Sequence, residues 1–214
     1  MRKERGLELL FLLTGDVRIG KTRWLEGLCA ELSDAGTRVA GVVAPGVWRA
    51  VGDGDGFEKL GIDNVLLPGG ERVPFARRRD LALAEGVLDP RSQSEAARLG
   101  WHISDDALAR VNAHFEGLAR ARGARGLAGR GLLVVDELGR LELEHDGGLT
   151  AAMALLTAGP ASRFAHALVV VRDGLCPLAE ERFGAAWGGA TRIAPDDEAL
   201  FLLRSACGLP PCAP

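Results

Sequence analysis

Residues 15 to 22 run Gly15-Asp16-Val17-Arg18-Ile19-Gly20-Lys21-Thr22, a pair of glycines bracketing four residues and followed by a lysine and a hydroxyl. Residue types in this order suit a phosphate. The four residues between the glycines let backbone N–H groups turn inward around an anion, and a helix starting after Gly20 aims its positive end at the same point. Lys21 adds a full charge on a stem that can reach β- and γ-phosphates, and the Thr22 hydroxyl is placed to ligand a Mg²⁺ bridging them. The phosphate-binding set expected here is Gly15, Asp16, Val17, Arg18, Ile19, Gly20, Lys21, Thr22 and Arg23. Asp16 brings negative charge to this loop, and Arg18 is expected beside the phosphates to offset it.

A second constellation follows much later, where Leu132-Leu133-Val134-Val135 ends in Asp136-Glu137. An apolar strand closed by two acids is the Walker B arrangement that accompanies a phosphate-binding loop. Consecutive side chains on a strand point to opposite faces, so the two carboxylates are expected to divide the work. Asp136 serves the Mg²⁺ together with Thr22, while Glu137 orients and polarises the water that attacks the γ-phosphorus. Lys21 and Glu137 are the catalytic candidates, and an acid free to hold water favours hydrolysis over kinase chemistry.

These residues need elements to carry them. Leu7 to Thr14 is a short apolar block ended by Gly15, and Lys21 to Ala35 follows with Leu25, Leu28, Cys29 and Leu32 at helical spacing, closed by Gly36. Strand, loop and helix are therefore expected around the glycines. Arg38 to Ala44 reads as a second strand, and Phe57 to Arg79 as two short strands about the turn Pro68-Gly69-Gly70. Ser104 with Asp105 and Asp106 opens a helix whose Leu108, Val111, Phe115 and Leu118 share one face. Leu132 to Val135 and Ala167 to Val171 are apolar throughout, as in parallel strands covered on both faces. Leu149 to Leu156 and Asp196 to Leu203 are further helices. The alternation predicts one α/β domain over 1–214, a mostly parallel sheet flanked by helices on both faces, with an antiparallel hairpin inserted at about 51–79.

The run Asp136-Glu137-Leu138-Gly139-Arg140-Leu141-Glu142-Leu143 resembles the signature just after the Walker B strand in the small THEP-type nucleoside-triphosphatases. Gly41 to Arg49 falls where that family carries a glycine-led strand entering a polar turn, and Phe57 to Arg77 is similar to its hairpin. The resemblance covers roughly residues 9–172. It implies a RecA-like P-loop fold and slow Mg²⁺-dependent hydrolysis of nucleoside triphosphates to diphosphate and phosphate, with loose base preference. By position it assigns roles to Lys21, Thr22, Asp136 and Glu137.

Composition limits the partners. The chain has 214 residues, 47% of them hydrophobic, which places it among ordinary globular proteins. With 26 Lys and Arg against 29 Asp and Glu, its formal charge of −3 supplies no broad attraction to nucleic acid or an anionic membrane. The apolar start resembles a secretory signal, but Glu8 interrupts it and no small-x-small cleavage site follows, so a buried strand is expected instead. The four cysteines, Cys29, Cys176, Cys207 and Cys212, show no zinc spacing, and a reducing cytoplasm fits them.

Arg77, Arg78 and Arg79 could supply charge to a nucleotide or form a solvated basic patch. Arg172 and Asp173 end a strand where a polar group could sense the γ-phosphate. Trp48 and Trp101 could stack a base or simply pack, and Glu142 could cap the turn after the second strand. A kinase and a nucleotide-dependent accessory or switch protein are the alternatives to hydrolysis.

Overall fold

Leu9–Leu13 (β1) is apolar at every position and Leu10 to Leu13 are all buried, as a strand covered on both faces requires. The structure, a computed structural model, describes residues 9–17, 19–52, 56–121 and 131–210. Residues 53–55, within the Gly/Asp-rich stretch Val51 to Gly56 whose sequence predicts a loop tip, and 122–130, most of the Arg/Gly-rich run from Arg120 to Arg130, lie outside the described residues. After β1 come α1 (Lys21–Asp34), β2 (Val39–Val43), β3 (Gly46–Val51), β4 (Gly56–Leu67), β5 (Glu71–Arg78), α2 (Arg79–Ala84) and α3 (Gln93–Ala96). They continue with β6 (Trp101–Ile103), α4 (Asp105–Arg120), β7 (Leu132–Leu138), α5 (Arg140–Leu143), α6 (Thr150–Thr157), β8 (His166–Val171), α7 (Cys176–Phe183), β9 (Ala190–Ile193) and α8 (Asp197–Ala206).

The strands form one mixed sheet. Its parallel half has the order β2-β7-β8-β1-β9. Beyond β2 it turns antiparallel, with β4 pairing to β2, β3 and β5, and β5 to β6. The expectation of a mostly parallel sheet with one inserted hairpin is corrected here. Four of the eight pairings are antiparallel, and the hairpin belongs to a four-stranded wing. Sequence pattern misses the outer wing strands because Trp48 to Val51 of β3 are all exposed and β6 has three residues, too few for an alternation to show.

Alternation along the parallel strands sorts their side chains to two cores. Leu10 and Leu12 of β1 pack with Leu133 and Val135 of β7 beneath Leu108, Val111 and Phe115 of α4. On the other face, Phe11 and Leu13 meet Leu132 and Val134 under Leu25, Leu28 and Leu32 of α1 and Leu203 of α8. Helices therefore cover both faces, as expected. Backbones approach most closely between β2 and β7, where Gly41 has φ +127° and a Cβ would lie 1.9 Å from the Val134 carbonyl oxygen, so only glycine fits. No helix among the described residues is long and apolar enough to cross a membrane.

Candidate active site

Register brings the two constellations together. Leu13 pairs with Val170 and Val170 with Asp136, so the last residue of β1 and the first acid of β7 lie at one level on either side of β8. Adjacent strands are about 4.8 Å apart, so the loop leaving β1 faces the end of β7 across roughly 10 Å. Both are at the carboxyl ends of parallel strands, where open α/β sheets place ligands. The Thr14 hydroxyl donates to an Asp173 carboxylate oxygen just beyond β8, fixing the start of the loop to the strand between the two constellations.

The loop ends at Gly20, whose φ of +94° is left-handed and suits a residue without a Cβ. No side chain caps α1 and no acid stands in its first turn. By contrast, α4 is capped by Ser104 ahead of Asp105 and Asp106, and α8 by Asp196 ahead of Asp197 and Glu198. The first-turn N–H groups of α1 thus have no capping side chain or acid as acceptor. Lys21 Nζ donates to the Gly15 carbonyl at 2.7 Å and the Asp16 carbonyl at 2.8 Å, which leaves the third of its protons for a ligand. Asp16, Val17, Ile19, Gly20 and Arg23 are exposed around it. Arg18 lies outside the described residues.

Thr22, in the first turn of α1, lies near enough to the Asp136 carboxyl to favour its charged form, which brings the loop beside the acid strand. Asp136 is 3% exposed and its Oδ2 also accepts the Ala44 N–H at 2.9 Å. Burial pushes its carboxyl up to about 6, with the Glu137 charge adding, while the hydrogen bonds from Ala44 and Thr22 and the Lys59 charge oppose the rise. On α1, burial carries the Cys29 thiol up to about 12, with the Asp136 and Glu26 charges adding to it.

Glu137 departs from simple alternation. The Asp136–Glu137 peptide is cis. The β7–β8 ladder matches Asp136 with Val170 and Leu138 with Val171, so Glu137 is an extra residue at a bulge. Leu138 accordingly shares the core of Leu133 and Val135, which strict alternation forbids. Glu137 stays half-exposed and its Oε1 lies 3.1 Å from Arg172 Nε. Asp136 and Glu137 still diverge, one toward α1 and the other toward the end of β8, through the bulge and not through the pleat.

The three consecutive arginines are engaged elsewhere: Arg77 with Glu85, Arg78 with Glu58 and Asp80, and Arg79 with Glu95 at 2.9 Å. Trp48 and Trp101 flank Lys59, whose Nζ lies 5.9 Å and 5.4 Å from their ring centroids. Glu142 is a buried cap, as its Oε2 accepts the Gly139 N–H at 2.9 Å and its Oε1 the Leu149 N–H at 3.1 Å. It ties the segment after Glu137 to the start of α6. Glu142→Ala leaves two N–H groups without that partner and is expected to lower stability by roughly 2 kcal/mol, seen as an earlier urea midpoint. An unmoved midpoint would remove the role.

Two groups at this site have no motif to announce them: Ala44 through its N–H, and Lys59 on β4. For Lys59 a faint signal exists in composition, because only Lys3, Lys21 and Lys59 of the 26 basic residues are lysines. Thr22 and Asp136 offer a hydroxyl and a carboxylate, hard oxygen donors that suit Mg²⁺ when water and phosphate complete its shell. Among the described residues no group of three or more His, Cys, Asp or Glu side chains converges to hold a metal ion.

No protein-family model and no curated protein matches this chain. Among solved structures it is similar to the solution structure of a human cancer-related nucleoside triphosphatase. Identity is 19% over 77% of this chain and 75% of that one, with a TM-score of 0.49.

Proposed function

We propose that this chain hydrolyses nucleoside triphosphates to diphosphate and phosphate with Mg²⁺, in a RecA-like parallel block whose loop strand β1 and acid strand β7 are separated by β8. The strand register carries this proposal, because Leu13 at the end of β1 and Asp136 at the end of β7 stand level on either side of Val170, which brings the loop and the buried acid to one end of the sheet, with Thr22 near enough to Asp136 to lower its pKa. The N–H groups of residues 15–20 and the uncapped start of α1 receive the β- and γ-phosphates, and Lys21 donates its remaining proton to them. Thr22 and Asp136 would hold the Mg²⁺, which would supply charge neutralisation to the phosphates. Glu137 holds the attacking water in line with the γ-phosphorus and takes up its proton.

A phosphate-release assay over ATP, GTP, CTP, UTP and ITP with increasing Mg²⁺ tests this. Turnover without any added acceptor is expected with several bases, and Asp136→Asn is expected to raise the Mg²⁺ concentration needed for half-maximal rate. Release that requires an acceptor alcohol would make the chain a kinase. An unmoved Mg²⁺ dependence would count against the role of Asp136.

A further inference from the structure

The antiparallel wing begins at the active site. β2 and β3 lie along the same strand β4, and the line breaks between them at Ala44 and Pro45, where the Ala44 N–H binds Asp136 and the Pro45 carbonyl accepts from the Asp63 N–H at 3.0 Å. The next residue, Gly46, is where Lys59 and Trp48 close in. A Cβ there would stand 2.9 Å from Lys59 Cε and 2.5 Å from Trp48 Nε1. Two residues of backbone therefore separate the partner of Asp136 from the stem of Lys59.

The Lys59 ammonium is held in an unusual way for this chain. Arg49, Arg77, Arg78, Arg79 and Arg172 each contact a carboxylate. Among the described residues none accepts a hydrogen bond from Lys59, which instead stands within cation–π range of two indoles. Rings fix its position without neutralising its charge. Burial lowers its pKa from the ordinary lysine value, while Glu137 and Asp136 raise it and Arg172 lowers it, so Lys59 shares one field with the end of β7 and the end of β8. A compact ammonium in such a field suits a phosphoryl oxygen. Two of the three lysines in the sequence thus stand toward the carboxyl end of β7, one carried by each half of the sheet.

We propose that Lys59 is a second phosphate-directed cation of this site: its ammonium, presented between Trp48 and Trp101, contacts the terminal phosphoryl group of a bound nucleoside triphosphate and stabilises the charge that develops there. This rests on the triphosphate hydrolysis proposed above and adds a cation supplied by the wing. Because the contact is to the terminal phosphate, a diphosphate does not make it. Lys59 therefore sets the preference for triphosphate over diphosphate as well as the rate.

The test compares wild type, Lys59→Met and Lys59→Arg by calorimetry with Mg²⁺ and either a non-hydrolysable imido triphosphate or the diphosphate, and by single-turnover phosphate release. Methionine keeps the length and packs between the indoles, and near-UV circular dichroism checks that it does. Lys59→Met is expected to lose about tenfold or more in affinity for the imido triphosphate, to keep its diphosphate affinity, and to slow phosphate release by about 10², with Lys59→Arg recovering part of both. An unchanged triphosphate-to-diphosphate ratio in Lys59→Met would overturn the proposal, and so would an equal loss for both ligands, which marks a role in packing the wing. A wild type that binds the imido triphosphate but releases no phosphate from the hydrolysable triphosphate would instead overturn hydrolysis, and the affinity ratio would still judge Lys59. A wild type that binds neither ligand would overturn both.

Discussion

Glu137→Gln is expected to hydrolyse nucleoside triphosphates at least about 10²-fold more slowly than wild type while binding them equally well. The exchange keeps the size of the side chain and removes the negative charge that would polarise a water. Glu137 is suited to that task by its place: the bulge lifts it out of the pleat, half-exposed, while Asp136 stays buried against Thr22. Its ion pair with Arg172 joins two partly exposed side chains, so its loss costs about 1 kcal/mol or less and leaves the fold in place. Single-turnover phosphate release beside calorimetric affinity separates the two effects. Equal turnover by variant and wild type would refute the assignment and favour a protein in which nucleotide occupancy acts as a switch.

Lys21→Ala has the second large effect expected, this time on affinity. Hydrogen bonds to a charged group contribute about 1.5–3 kcal/mol, so losing the Lys21 contact to phosphate should weaken triphosphate binding by roughly 10- to 100-fold. The fold should not suffer, because the carbonyls of Gly15 and Asp16 that Lys21 satisfies lie at an accessible loop where water can replace it. Calorimetry gives the affinity and a thermal melt gives the stability. Unchanged affinity would contradict a phosphate role, and a large drop in melting temperature would make Lys21 a structural brace.

Legibility in the sequence followed contiguity. The loop from Gly15 to Thr22 and the acids after Val135 were readable because each set of groups lies on one short segment between apolar runs, and the helix at α4 announced itself through Ser104 and a clean apolar face. Lys59 and the Ala44 N–H were not readable, since only the pairing of β4 with β2 and β3 brings them to the site. The bulge at Glu137 was hidden for a related reason. Nothing in Asp136-Glu137-Leu138 marks an extra residue until Leu138 is seen in the core of Val135. Of the wing, the β4–β5 hairpin was readable about Pro68-Gly69-Gly70, whereas the outer strands were not, because β3 is an exposed strand with apolar residues on both faces and β6 has three residues.

The most direct test of hydrolysis at this site is to follow oxygen from water enriched in the heavy isotope during turnover of a nucleoside triphosphate with Mg²⁺. Attack by a water at the γ-phosphorus predicts that the released phosphate carries one heavy oxygen and the diphosphate none. Heavy oxygen in the diphosphate would place the attack at the β-phosphorus, and the absence of heavy oxygen from both products would contradict hydrolysis altogether.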